Sequence, residues 1–154
     1  MEKDFLQSLI IIFERELNQL EKEINLYPDE PSVWKLEGDI KNSAGTLTLH
    51  LCGNLQHFIG AILGKSGYVR NRENEFAARN VARKELLEEI SKTKEVVEAV
   101  LQQLDPKQLG MEYPIQVFGK PMTTTFFLIH LSVHLNYHLG QVNYHRRLLA
   151  PTQG

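Results

Sequence analysis

The chain has 154 residues, 42% of them hydrophobic and 23% charged, with a formal net charge of −2 and one cysteine. That length suits a single domain (residues 1–154) with a real core. The charge excludes the basic face expected of a nucleic-acid binder, and the lone Cys52 excludes an internal disulfide framework and fits a reducing compartment.

Residues 4–26 place Leu6, Ile10, Phe13, Leu17, Leu20 and Ile24 at three- and four-residue spacing, which predicts an amphipathic helix. The charged start Met1-Glu2-Lys3-Asp4 does not read as a secretion signal. Apolar runs such as Leu9 to Phe13 are too short to span a bilayer, so a soluble, cytoplasmic protein with no membrane partner is expected. Pro28 and Pro31 end the first helix and open a connector in which Trp34 and Leu36 are expected to cap the core. Asn42-Ser43 is a helix start, and a second helix to about Leu63, apolar nearly all round, should be the most buried of the set.

Gly64-Lys65-Ser66-Gly67 breaks that helix, and residues 68–76, with Arg70, Arg72 and Glu75, read as an irregular crossing. A third helix is predicted over roughly 78–104, stopped by Asp105-Pro106. Residues 106–122 hold three prolines and two glycines and read as an ordered loop or short hairpin. Thr123 to Thr125 cap the last helix, which runs to about Leu149 before Pro151. Four long helices with distinct apolar faces call for an all-α four-helix bundle with long connections.

The last helix carries the chemical signal. At 100° per residue His130, His134, His138, Gln141 and His145 share a stripe about 80° wide. Imidazoles four residues apart can grip one metal ion, and on spacing 130/134 is as good a pair as 134/138. His145 lies about 16 Å along the axis from His134, too far to share an ion, and reads as surface or bundle end. The second helix adds His50 and His57 on nearly one face, with Asn54 between them, in surroundings where an unpaired imidazole is costly. One His from there and a pair from the last helix would give three neutral ligands and leave open positions for water or substrate, as a catalytic metal site requires. Against this stands the plainer reading of each His as a hydrogen-bonded core residue. Cys52, two residues from His50, points to another face.

The run His50-Leu51-Cys52-Gly53-Asn54-Leu55-Gln56-His57-Phe58-Ile59-Gly60, together with His134-Leu135-Asn136-Tyr137-His138-Leu139-Gly140-Gln141, resembles the DinB/YfiT-like superfamily of metal-dependent enzymes. Asn42-Ser43 and the segment Arg70 to Phe76 support the likeness, which covers nearly the whole chain in order. The resemblance implies a four-helix bundle binding a divalent metal through His50, His134 and His138, and so decides against His130. It also implies a transferase or isomerase in which the metal binds a low-molecular-weight thiol. The chain departs from the family pattern at Leu139, where Arg or Thr is often seen, and in its extra imidazole, His57.

The expected activity is thiol transfer to a small electrophile, the metal lowering the thiol pKa. A metal-dependent hydrolase is the alternative, since water in the open position would be activated equally. Non-enzymatic readings are a ligand carrier or dimerisation module with a metal site, or a metal-free interaction protein with a polar His network. Zn or Ni suits three imidazoles best, with Fe and Mn next. Gln141 and Asn54 are candidates for orienting ligands or substrate, and His57 for a general base. Tyr113, Val117 and Phe118 would form a pocket rim or plug the bundle end. Arg70, Arg72, Arg79 and Arg83 would attract an acidic cofactor or pair with neighbouring Glu. A homodimer is the expected assembly.

Overall fold

A computed structural model of the protein describes residues 1–151. The elements are α1 (Glu2–Leu26), α2 (Glu30–Val33), α3 (Ala44–Leu55), α4 (Arg72–Ala77), α5 (Arg83–Gln103) and α6 (Thr124–Leu149). A π-helical run, Gln56–Leu63, prolongs α3, and a 3₁₀ turn, Pro106–Gly110, follows α5. There is no β-strand among the described residues, and the four long helices form the expected bundle. Both α1 and α3 pack against α5 and α6, so α1 and α3 lie on one diagonal of the bundle. No helix of the described residues is long and apolar enough to cross a membrane.

The first helix buries the stripe read from its spacing, from Leu6 through Phe13 and Leu20 to Ile24. α3 begins where Ser43 accepts a hydrogen bond from the Thr46 amide (3.2 Å), satisfying one of the free amides of the first turn. α6 begins in the same way, with Thr123 accepting from the Phe126 amide. The second helix departs from a regular α-helix at Gln56, whose buried amide turns inward and donates to Glu89 and Thr93 of α5. From there the ladder slips, so that the Gly64 amide reaches back five residues to the Ile59 carbonyl.

Several expectations are corrected. Trp34 is buried as foreseen, but Leu36 lies 47% exposed and caps nothing. The crossing after residue 67 is not wholly irregular. Asn71 accepts from the Asn74 amide and starts α4, a turn and a half of helix that the mixed polarity of Arg72 to Ala77 concealed. The third helix starts at Arg83 rather than near residue 78, because Asn80 adopts a left-handed conformation (φ 58°) and the Arg79 guanidinium ties up the carbonyls of Phe76 and Ala78. The 106–122 loop is closed by one antiparallel bridge, Glu112 to Thr123, with no paired strands.

α6 is fixed to α1 by polar pairs as well as by its core face. Glu23, almost wholly buried, accepts from Arg146 (2.6 Å) and Asn143 (2.7 Å). Burial alone would raise its pKa, but those bonds and the guanidinium charge hold it below the usual value. Glu16 accepts from Asn136 in the same manner one stretch earlier. His145 does lie at the end of the bundle, but it is buried rather than on the surface. It donates from Nε2 to the Lys35 carbonyl (2.8 Å) and accepts at Nδ1 from the Tyr27 hydroxyl (2.7 Å).

That placement gives a pH dependence with a definite sign. Burial pushes the His145 pKa below its ordinary value, outweighing the Lys35 carbonyl bond that favours the proton. Between the lowered folded pKa and the unfolded value near 6.5, the unfolded chain binds more protons, so stability falls as pH drops through this window. Melting temperature measured from pH 8 to pH 5 should therefore decline, and His145→Gln should decline less steeply. Parallel curves for the two proteins would show that His145 does not contribute.

Candidate metal centre

The facing sides of α3 and α6 bring three imidazoles together. His50, His134 and His138 each offer a ring nitrogen, and these atoms all lie within 4.8 Å of one another. The Nε2 atoms of His50 and His134 stand 3.2 Å apart. The rings form an edge-on trio, with centroid separations of 5.1, 5.4 and 4.6 Å and interplanar angles of 77°, 87° and 88°. Nitrogens around a tetrahedral ion at the usual Zn–N distance would stand roughly 3.3–3.4 Å apart. The donor set and its spacing fit a divalent ion.

The outer nitrogens are spoken for in a way that favours ligation. His50 Nδ1 donates to Glu75 Oε1 (3.1 Å), which leaves the Nε2 lone pair facing the trio. Glu75 is in turn gripped by Arg70 through two bonds of 2.9 Å. Burial works to raise the Glu75 pKa, but the His50 and Arg70 bonds outweigh it and the carboxyl lies below its ordinary range. On the other helix His138 Nδ1 donates to Gln141 Oε1 (2.7 Å), again leaving Nε2 free. Such carboxylate and amide partners fix the tautomer and orientation of metal-binding histidines. His134 Nδ1 is buried without a hydrogen-bond partner. Burial, reinforced by the neighbouring imidazoles, pushes the His134 pKa down to about 4, and burial lowers that of His138. The two rings of α6 can therefore present lone pairs at neutral pH.

Glu75 and its clamp Arg70 were not foreseen in these roles. The signal available was Gly53, one turn beyond His50 in an otherwise well-formed helix. A Cβ at Gly53 would lie 2.0 Å from Glu75 Oε2, so only glycine lets α4 deliver its carboxylate onto α3. Phe76, the next residue of α4, packs its ring 4.9 Å from that of His50.

The other candidates fall elsewhere. Gln141 touches the trio through His138. Asn54 is buried with its Oδ1 unpartnered, so it is hydrogen-bonded through that atom to none of the three rings. His57 is half-buried, packs on Phe58, and has its pKa lowered by burial and by the Arg70 charge. His130 stacks between Phe127 and His134 and meets Phe118 edge-on, and its nitrogens are not among the three that converge. Cys52 lies on the opposite face of α3 near Thr93, with burial pushing its thiol up to about 12. Tyr113 plugs the bundle end, buried and donating to the Phe58 carbonyl (2.6 Å), while Val117 and Phe118 stay exposed. Of the arginines, Arg83 donates to the Tyr27 carbonyl and Arg72 lies over the Phe76 ring. With Arg70 and Arg79 likewise engaged, these side chains form structural contacts rather than an anion patch.

Two solved structures share this architecture. A conserved protein from Enterococcus faecalis superposes with a TM-score of 0.73 at 20% identity, covering 93% of this chain and 95% of that one. A DinB-like protein from Bacillus cereus ATCC 10987 superposes with a TM-score of 0.69, also at 20% identity, covering 93% and 89%. At such identity the likeness speaks for the fold alone. No curated protein matches the sequence. Residues 1–153 match the family described as "Protein of unknown function (DUF1572)". The chain belongs to the DUF1572 family, and its bundle is of the DinB/YfiT-like type that the histidine motifs resemble.

Proposed function

We propose that the protein is a divalent-metal-dependent enzyme that transfers a low-molecular-weight thiol to a small electrophilic substrate, with His50, His134 and His138 as the metal ligands. The observation that carries the metal part of this reading is the convergence of three imidazoles whose inward nitrogens lie within 4.8 Å of one another while Glu75 and Gln141 hold the outer nitrogens of two of them. Zn or Ni is the expected ion. Bound there, a divalent cation supplies Lewis acidity that lowers the pKa of a thiol or water in its open position.

The residues of the chain divide the remaining work. Glu75, locked by Arg70, holds the His50 ring against rotation and balances positive charge at the site. Gln141 does the same for His138, which is half-buried and forms the open side of the trio. The carboxylate that touches the trio, Glu75, is committed to His50 and Arg70 and is not free to take a proton from water. The thiol itself is argued from the likeness of the histidine motifs to the DinB/YfiT-like enzymes.

Elemental analysis of tag-free protein should find about one divalent ion per chain, and His134→Ala should lose it. Absence of metal from both, even after incubation with Zn and Ni, would overturn the proposal; with metal present, screening thiols against electrophiles tests the transfer. Glu75→Gln should weaken Zn affinity about 10- to 100-fold, the usual effect of removing a ligand's hydrogen-bond partner, while the helical content stays intact. An unchanged affinity would leave Glu75 a structural role only.

A further inference from the structure

The face of α6 that turns away from the core is apolar but for His130 and Arg147, whose guanidinium lies 5.2 Å over the Tyr144 ring, and it has no partner among the described residues. Ile129, Val133, Tyr137, Tyr144 and Leu148 are each between 43% and 69% exposed, and with Gly140 they share an arc of about 100°. Phe126 extends the stripe by a turn, and α6 contains no acidic residue from end to end. Soluble proteins rarely leave a contiguous apolar strip of this length uncovered.

The spacing along the strip reads the same in both directions: four, four, three, four, four. Two copies of α6 laid antiparallel about a dyad between Tyr137 and Gly140 set Ile129 opposite Leu148, Val133 opposite Tyr144, and Tyr137 opposite Gly140. Each large side chain then meets an apolar one, as a two-fold interface demands. Gly140 fits this pairing and nothing else in the molecule. Glycine is unfavourable in a helix interior, yet a Cβ at this position would meet no atom within 4 Å. The missing side chain makes room for something outside the chain, and the pairing supplies it in the Tyr137 ring of a second copy.

We infer that the protein is a homodimer joined along α6 in this antiparallel register. The strip exposes on the order of 600 Å² per copy, taking side chains of the usual size. With Phe118 at its margin, edge-on to His130, it approaches the roughly 800 Å² per partner of a standard interface. An open groove of about 460 Å³ lined by Ile40, Leu47, Tyr144 and Leu148 continues the face and lies where the partner's Ile129 arrives. The dyad lies in the interface across both helices and keeps each flank on its own side, so the two His trios open on the same side of the helix pair.

Sedimentation velocity on the full, tag-free chain at tens of micromolar should give about twice the 17.7 kDa chain mass. Val133→Glu and Gly140→Glu should each weaken dimerisation at least about tenfold, as for a central interface position. Their helical circular dichroism should be retained, since both sites face solvent within the chain. The register is tested by copper–phenanthroline oxidation of a Val133→Cys/Tyr144→Cys double variant, in which the two positions face each other across the dyad. It should cross-link as a dimer, whereas either single variant should not, because its two copies would stand about 16 Å apart along the axis. A monomer at all concentrations, including one that binds anionic vesicles through this face, would overturn the inference. So would a dimer that survives both Glu substitutions, or single variants that cross-link as well as the double.

Discussion

A buried carboxylate holds the candidate centre in place. Glu75 sits between His50 and Arg70 with only 7% of its side chain exposed. Leaving a carboxylate there without partners would be expensive, and the guanidinium and the imidazole N–H together remove that cost. The consequence runs outward through the fold. The long connection between α3 and α5 contains Arg70 and the short α4, and its function in the architecture is to bring both side chains to His50. Gly53 completes the arrangement by leaving the backbone of α3 bare at the point of contact. Loss of any one of these residues would free the His50 ring to turn and so take its Nε2 lone pair out of the trio.

α6 answers to four environments at once. Leu131, Leu135, Leu139 and Val142 are core. His134 and His138 face α3, and Asn136, Asn143 and Arg146 bond the buried acids of α1. The remaining face is exposed and apolar. A helix apolar around most of its circumference ordinarily belongs in an interior, and α6 lies at a corner of the bundle. Its composition makes sense if the corner is covered by another helix, and in the antiparallel register the charged residues of α6, Arg146 and Arg147, stand at opposite ends of the pair.

Much of this was legible in the sequence, for reasons that can be stated residue by residue. The four long helices follow from three- and four-residue spacing of large apolar side chains, and Ser43 and Thr123 mark starts that the hydrogen bonds reproduce. The His50, His134 and His138 trio was reached through the likeness of the motifs; spacing alone left His130 level with His138. What separates those two is tertiary: Phe118 and Phe127 occupy the rings around His130, whereas Gln141 steadies His138. The Glu75 clamp was missed because α4 is too short to show a period and its residues are mostly charged. His145 stands at the bundle end, as one of its two readings had it, but its burial was missed for a related reason. Arg146 and Arg147 beside it suggest a solvated end, but Arg146 turns inward to Glu23 and takes the helix end with it.

Three imidazoles meeting at one point also constrain what can occupy that point. With His50 Nδ1 donating to Glu75 and His138 Nδ1 donating to Gln141, both rings present a bare lone pair inward. A proton on His134 Nε2 would satisfy His50 at 3.2 Å, but it serves one neighbour well and leaves the other lone pair unanswered in a half-buried site. It would also strip the proton from His134 Nδ1, which is buried with no donor to replace it. With His50 and His138 in these tautomers, a hydrogen-bonded network of the three rings is therefore incomplete. A single divalent cation satisfies all three inward nitrogens together and leaves only the His134 Nδ1–H without a partner, which is the physical ground for preferring a metal over a polar core.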